Sequence, residues 1–252
     1  LTDAMTPSPQ LRPAIGAILT GLSPLEIEVR NDVTTPLPEG VPLVTRGLTE
    51  RGWRTAAFVA DPRVGVGSGL ERGFEMFDPP KEILFGSFRR IPQIRSPEEV
   101  VTDFSKWVAT VPDGTSFFAW IQLSGPEGVR AALDRLSKLL AGTPRLTDAA
   151  VALVGTSGRA DPNDGAQSGY FLNADVLRVP AILRSGGRSE RRVDPGSPFS
   201  LAEVARWIGV EAGIDAATGD ALAPGAPLIA WTWRGRDEFG WPPEVAARQA
   251  SA

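Results

Sequence analysis

The feature that most constrains the fold is a regular alternation between short apolar runs and longer amphipathic stretches. The apolar runs have the length of strands, and the stretches between them have the spacing of helices that are apolar on one face. The predicted strands are Thr55–Ala60, Ser116–Leu123, Ala149–Gly155, Pro180–Leu183 and Pro227–Trp233. This order predicts an α/β fold, with a mostly parallel central sheet covered by helices on both faces.

The helices between these strands have recognisable ends. Ser96 is predicted to cap a helix that has Pro97 in its first position, and Glu99 is placed to complete a capping box. Three further helices are predicted to end before a left-handed glycine: Leu43–Arg51 before Gly52, Val129–Ala141 before Gly142, and Leu201–Ala212 before Gly213. We expect one domain over residues 1–234 and a polar C-terminal tail over residues 235–252.

Composition narrows the chemistry that the chain can perform. Its 252 residues include no cysteine and no histidine, and its formal net charge is −4. Cysteine zinc sites, thiolate nucleophiles and histidine general bases are therefore excluded. The negative net charge gives no sign of the basic surface that nucleic-acid binding needs. No apolar run approaches the length of a membrane span.

The segment Thr6–Pro24 reads TPSPQLRPAIGAILTGLSP and carries a specific family resemblance. It resembles the nucleophile region of the sulfatases, which are members of the alkaline-phosphatase-like superfamily. The matching residues are Pro13, Leu19, Thr20, Gly21 and Pro24. The resemblance places the family's nucleophile at Leu11 and its neighbouring arginine at Ile15.

Further blocks resemble the same family and follow its order along the chain. They are Leu48–Val59, Gly69–Asp78, Phe117–Glu127, Val151–Arg159, Ser168–Pro180 and Phe199–Ile214. The resemblance implies a polar site residue at Gln122, a metal-binding aspartate at Gly158, and histidines at Arg159 and Ser168. It also implies an opening strand with aspartate ligands, which we expect to be missing before Leu1.

In the sulfatases, aspartate and asparagine oxygens hold one divalent cation that activates a hydroxyl nucleophile. The positions that the resemblance identifies hold no such residues here. Leu11 has no lone pair for attack, Gly158 has no side chain, and Arg159 would repel a metal cation. The sequence therefore predicts a sulfatase-like protein that is not an enzyme and that binds no metal or other cofactor at this site.

The expected role is that of a structural or interaction subunit within a larger complex, with a protein partner and a possible membrane association. Trp241, beside Pro242 and Pro243, is a candidate exposed anchor for such a partner. The resemblance favours a bacterial protein located outside the cytoplasmic membrane.

Two alternatives remain open from the sequence. One is a metal-dependent hydrolase of sulfate or phosphate esters whose site is completed by residues outside this chain. The other is a sugar- or anion-binding domain that keeps the cleft of the sulfatase site, with Arg12 and Arg159 as its anion contacts.

Overall fold

A computed structural model describes residues 3–85, 89–125, 127–158, 170–186, 198–214 and 227–248. The chain divides into two compact units. Unit 1 comprises residues 1–44 and 150–252, and unit 2 comprises residues 45–149. Each unit is described by itself.

The five predicted strands and the four predicted helices are present in the predicted order, among further elements that were not predicted. The strands are β1 (Ala4–Met5), β2 (Arg54–Val59), β3 (Met76–Asp78), β4 (Glu82–Phe85), β5 (Arg89–Pro92), β6 (Phe117–Gln122), β7 (Val151–Val154), β8 (Ala181–Arg184), β9 (Phe199–Ser200), β10 (Leu228–Thr232) and β11 (Glu244–Arg248). The α-helices are α1 (Leu11–Thr20), α2 (Val44–Glu50), α3 (Pro97–Thr110), α4 (Val129–Gly142), α5 (Pro144–Thr147), α6 (Ala174–Leu177), α7 (Glu203–Ala212) and α8 (Arg234–Phe239).

Unit 2 is built around a parallel sheet of three strands in the order β3-β2-β6. Ala56, at the centre of β2, lies opposite Met76 on one side and Ala119 on the other. Parallel strands need helices on their faces, and α3 contacts both β2 and β6. The hairpin of β4 and β5 is antiparallel.

The core of unit 2 lies between this sheet and α3. Phe58 is almost fully buried and meets Phe104 and Trp107 edge-on, with ring centroids 5.8 and 5.9 Å away. Val100 and Val108 complete the apolar face of α3 in the same cluster. The helical spacing of these side chains is therefore what attaches α3 to the sheet.

The start of α3 confirms part of the predicted cap. The Ser96 hydroxyl accepts a hydrogen bond from the Glu99 backbone N–H at 3.2 Å, and Pro97 is the first helical residue. The Glu99 carboxylate binds Lys81 at 2.5 Å.

A buried arginine links α3 to the end of β3. The side chain of Arg95 lies 2.9 Å from the Asp78 carboxylate and 2.7 Å from that of Asp103. It also donates to the Val59 carbonyl. Two carboxylates and backbone carbonyls together offset the cost of burying this charge.

Unit 1 combines parallel and antiparallel pairs. Strands β1 and β9 are parallel, whereas β7–β8 and β10–β11 are antiparallel. Helix α1 contacts α7, and α7 ends at the left-handed residue Gly213, as predicted. The left-handed conformation of Gly52 is also confirmed, but Gly142 is instead the last residue of α4 and has no positive φ.

The segment that we predicted to be a polar tail contains ordered elements. Most of α8 and all of β11 lie within residues 235–248, and β11 pairs with β10 along its whole length. Along β11, Val245 and Ala247 are exposed and Ala246 between them is partly buried, so the sequence of this strand lacks the strict alternation of apolar and polar residues that predicts a strand.

The predicted α/β class is confirmed, with parallel pairing in β3-β2-β6 and β1-β9. Of the helices in the described ranges, none has the length and apolar character needed to cross a bilayer.

The contacts of Phe58 predict the cost of removing its ring. Replacing Phe58 by Ala should lower the free energy of unfolding by about 3–5 kcal/mol, because it leaves a cavity against α3. Phe58→Leu should cost less, about 1.5 kcal/mol, since it retains most of the volume. Urea titration followed by tryptophan fluorescence measures both losses, and equal small losses would contradict this packing.

Candidate functional site

The position at which the resemblance predicts the family's nucleophile lies at the start of α1. Leu11 is the first residue of this helix and is 9 % exposed, and Ile15, one turn later, is fully buried. Both side chains are aliphatic and belong to the packed interior of unit 1. The structure therefore uses these two positions for packing.

The N-terminus of α1 is satisfied by a carboxylate from the chain itself. The Arg12 backbone N–H donates to Oδ1 of Asp32 at 2.8 Å, whereas Gln10, in the N-cap position, makes no capping bond with its side chain. The first N–H groups of a helix attract anions. Asp32 supplies that anion internally.

The side chain of Arg12 holds the segment that carries this carboxylate. Its guanidinium donates to the carbonyls of Val33 and Thr35 at 3.2 and 3.4 Å, and the residue is buried. Its predicted role as an anion contact stays a prediction.

Gly158, where the resemblance predicts a metal-binding residue, is enclosed by backbone. The Gly158 N–H donates to the Val176 carbonyl at 2.8 Å. A Cβ atom on Gly158 would lie 1.9 Å from the Asp175 carbonyl oxygen and 2.8 Å from that of Arg178. The turn around α6 therefore occupies the space into which a side chain at this position would extend.

Gln122, in unit 2, has a structural role at the end of β6. Its Oε1 accepts from the N–H groups of Ala60 and Asp61, each at 2.8 Å, and its amide donates to the Leu123 carbonyl. The side chain thus links β6 to the residues that follow β2. Sequence reasoning identified the position without foreseeing these contacts.

Beside Gln122, Asp61 is a buried carboxylate with a complete set of partners. It accepts from Arg63 at 2.7 Å and from the Ser124 hydroxyl at 3.2 Å. Burial pushes the pKa of Asp61 upward, but the hydrogen bonds and charge of Arg63, with the bond from Ser124, outweigh it and leave the pKa below its ordinary value.

Arg159 and Ser168, the remaining predicted positions, lie outside the described residues.

A second feature of unit 1 was only partly visible in the sequence. Four aromatic side chains meet near α8: Tyr170, Phe171, Phe239 and Trp241. The Trp241 ring lies 5.0 Å from Phe239 and 6.0 Å from Phe171, measured between centroids. Trp241 is exposed, which confirms its predicted exposure. We name these four residues the aromatic cluster.

The backbone after α8 fixes the position of Trp241. Gly240 ends the helix in the left-handed conformation, with φ of 72°, and the Trp241 N–H donates to the Gly235 carbonyl. A Cβ on Gly235 would lie 2.9 Å from Cε3 of Trp241. The indole therefore packs directly on glycine backbone.

Ionic groups fix the buried member of the cluster. The Arg234 guanidinium lies over the Tyr170 ring, 4.4 Å from its centroid, and binds Glu238 at 2.9 Å. The Tyr170 hydroxyl also donates to Glu238. This hydrogen bond raises the pKa of Tyr170, and with the bond from Arg234 it lowers the pKa of Glu238.

The aromatic cluster joins residues separated by about seventy positions, and that proximity is not visible in the sequence. The only indication of these exposed rings in the sequence was the run Phe239-Gly240-Trp241-Pro242-Pro243, because two aromatic residues beside prolines favour exposure.

No family model matches the sequence, and no curated protein matches it. Solved structures do match. A 2-O GAG sulfatase has a TM-score of 0.64 at 16% identity, over 92% of this chain and 69% of its own. A phosphonate monoester hydrolase from Silicibacter pomeroyi has a TM-score of 0.67 at 13% identity, and the match covers 98% of this chain and 77% of the hydrolase. A protein solved with its substrate, D-glucosamine-2-N,6-O-disulfate, has a TM-score of 0.69 at 10% identity, and the match covers 97% of this chain and 79% of that protein.

These likenesses show that the chain has the α/β fold of sulfatases and phosphonate monoester hydrolases. They also correct one prediction. We predicted that the chain is not an enzyme, and this is contradicted because the structures that it resembles are those of enzymes. The fold is that of a hydrolase.

The residues at the positions where the resemblance predicts the nucleophile and a metal ligand do not fit a divalent cation. Leu11 has no side-chain oxygen, and Gly158 has neither a side chain nor room for one. Across the described ranges, no group of three or more His, Cys, Asp or Glu side chains could hold a metal ion. A cation site of the family's kind would need oxygens from other residues.

The enclosure of Gly158 predicts the effect of adding one carbon atom. Gly158→Ala should lower the free energy of unfolding by about 1–3 kcal/mol, because the methyl group overlaps the Asp175 carbonyl. Gly142→Ala is the matched control, since nothing lies within 4 Å of a Cβ there. It should leave stability unchanged or raise it by about 0.5–1 kcal/mol. Equal thermal midpoints for the two variants would contradict the described contact.

Proposed function

We propose that the chain serves as an interaction subunit and holds a protein partner on the outer face of the β10–β11 hairpin. The observation that carries this proposal is an uncovered sheet face. Ile229 and Val245 are 43% and 48% exposed, although both are aliphatic strand residues.

The pairing of the hairpin places these side chains together. Ile229 lies opposite Ala247, and Trp231 lies opposite Val245. Directly opposed residues of an antiparallel pair point to the same face, and alternate residues of a strand do so as well. The four side chains therefore form one apolar surface. Trp231 also stacks on Trp233, with centroids 5.7 Å apart.

The opposite face of the hairpin is already covered. Leu228 and Ala230 are buried in a cluster with Met5 and Leu177. The hairpin is thus anchored on one side and open on the other. Covering the open side with apolar surface gains about 25 cal/mol for each Å² removed from water. A partner with an apolar helix or strand face meets that requirement.

The fold favours a second candidate function, hydrolysis of sulfate, phosphate or phosphonate esters. Its support is the likeness to sulfatases and phosphonate monoester hydrolases. The nucleophile and cation ligands would then come from residues outside the described ones. Metal analysis of the purified protein and assays with nitrophenyl sulfate, phosphate and phosphonate esters test this candidate. The extracytoplasmic location and membrane association stay predictions.

The interaction role is tested by photo-crosslinking in the cells that produce the protein. A benzoylphenylalanine at position 229 should give one defined product larger than the chain, and Val245→Lys should abolish it, because the charge disrupts an apolar contact. The control is the same probe at position 66, where Val66 is exposed in unit 2.

Mass spectrometry of the product distinguishes a second copy from a different protein, and either result supports the proposal. A probe at position 229 that gives no product beyond the position 66 control would refute it.

A further inference from the structure

We infer that the outer edge of β6, in unit 2, binds an extended apolar strand from a partner polypeptide. Strand β6 pairs with β2 along its whole length. Of the strands in the described ranges, no other pairs with it. We name the side of β6 that faces away from β2 the open edge. It belongs to unit 2, whereas the β10–β11 hairpin belongs to unit 1.

The hydrogen bonds of β6 show which backbone groups lie on the open edge. The Ala60 N–H donates to the Gln122 carbonyl at 3.1 Å, so Gln122 directs its backbone groups towards β2. In a parallel pair, every second residue of a strand bonds to the same neighbour. Phe117, Ala119 and Ile121 therefore direct their N–H and carbonyl groups to the open edge. Within the part of the chain that the structure describes, no hydrogen bond reaches these groups.

The exposure of β6 shows that cover is missing at its edge. In β2, residues Thr55–Val59 are at most 3% exposed, although they alternate between the two faces of the sheet. In β6, residues Phe117–Ile121 are all partly exposed. An uncovered face would expose every second residue of the strand. Because exposure does not alternate, the groups that are missing lie beside the strand.

The sequence of β6 is not that of a protected edge. Edge strands are commonly short, charged or interrupted by proline, which prevents further pairing. At the opposite edge of this sheet, β3 has three residues and ends at Asp78, which binds Arg95. Strand β6 has six residues, and none of them is charged or a proline. Such a run is typical of a strand inside a parallel sheet, with a neighbour on each side.

The side chains of both faces specify the chemistry of the added strand. On one face, Phe118 and Trp120 pack against Phe74, each with ring centroids 6.2 Å apart. On the other face, β6 borders the core of unit 2, where the leucines of α4 are also only partly buried: Leu136, Leu139 and Leu140.

A strand added at the open edge would lie between these two apolar layers. A charged side chain there would be buried without a partner. The occupant is therefore an extended segment of about five successive uncharged residues, of the β-branched and aromatic kinds that suit a strand.

A second copy of the chain fits the open edge less well. The gain from pairing comes from removing apolar surface from water. An extended segment of a partner arrives without cover and gains it from both layers. Strand β6 of a second copy is already covered on one face by its own α3. The larger gain therefore favours a separate segment.

The experiment uses the full chain and a fluorescein-labelled peptide of alternating valine and isoleucine, flanked by a lysine pair and a glutamate pair. Binding should raise the fluorescence anisotropy of the peptide. It should also slow the amide exchange of Ala119 and Ile121 about tenfold or more, because their N–H groups gain partners. The control peptide has proline at every second apolar position and should not bind, since proline donates no ladder bond.

A proline in β6 tests the edge from the other side. Ala119→Pro should abolish peptide binding and leave the pairing with β2 intact, because the N–H that it removes points outward. Val66→Ala alters an exposed apolar residue elsewhere in unit 2 and should leave binding unchanged. Thermal melting shows which variants are folded. If Ala119→Pro does not fold, the exchange rates of the unaltered chain still locate the bound peptide.

Three results would overturn the inference: no binding of the apolar peptide, equal binding of the proline peptide, or binding that leaves the exchange of Ala119 and Ile121 unchanged. A dimer that Ala119→Pro dissociates would assign the open edge to a second copy instead. Ala119→Pro should not affect the crosslink at position 229, so this inference and the role proposed for the hairpin fail separately.

Discussion

The structure of unit 1 depends on the backbone hydrogen bonds of the short segment Asp3–Thr6, which contains β1. On one side, the N–H groups of Phe199 and Leu201 donate to backbone carbonyls of this segment at 2.9 and 3.0 Å. On the other side, Val179 donates to it at 3.0 Å, and it donates to the Leu177 carbonyl at 2.9 Å. Buried backbone groups must be paired, so this segment fixes both neighbours. It also fixes the point at which the chain turns into α1.

This constraint also holds the segments at which the resemblance predicted site residues. The segment that follows α6 is held against β1, and α6 itself lies beside Gly158, whose N–H binds Val176. At the start of α1, the Asp32 carboxylate binds the Arg12 N–H. Backbone and carboxylate groups of the chain thus make the contacts at Gly158 and at the start of α1. The uncovered surfaces lie elsewhere in unit 1, on the β10–β11 hairpin and the aromatic cluster.

The elements were predictable where local chemistry determines them. The apolar runs gave β2, β6, β7, β8 and β10 to within about two residues, and the Ser96 cap is present as predicted. The antiparallel pairing of β7 with β8 was not predictable, because both runs are apolar throughout and carry no directional signal. Strand β11 was missed because it is short, is rich in alanine and does not alternate strictly between apolar and polar residues.

The sequence allowed the positions of the candidate site residues to be predicted, but not the contacts that these residues make. The resemblance to the sulfatases predicted altered site residues at Leu11, Gln122 and Gly158. It could not show that Gln122 binds two backbone N–H groups or that Gly158 faces the Asp175 carbonyl, since both contacts depend on distant segments. The aromatic cluster depends on the same kind of long-range proximity, and only Trp241 was recognised in advance.

The most direct test of the central claim, that backbone around α6 encloses Gly158, is the hydrogen exchange rate of the Gly158 amide measured by nuclear magnetic resonance. The claim predicts slow exchange, because this N–H is bonded to the Val176 carbonyl. It also predicts that calcium and sulfate leave the rate unchanged. Fast exchange, or protection that develops only when those ions are added, would contradict it.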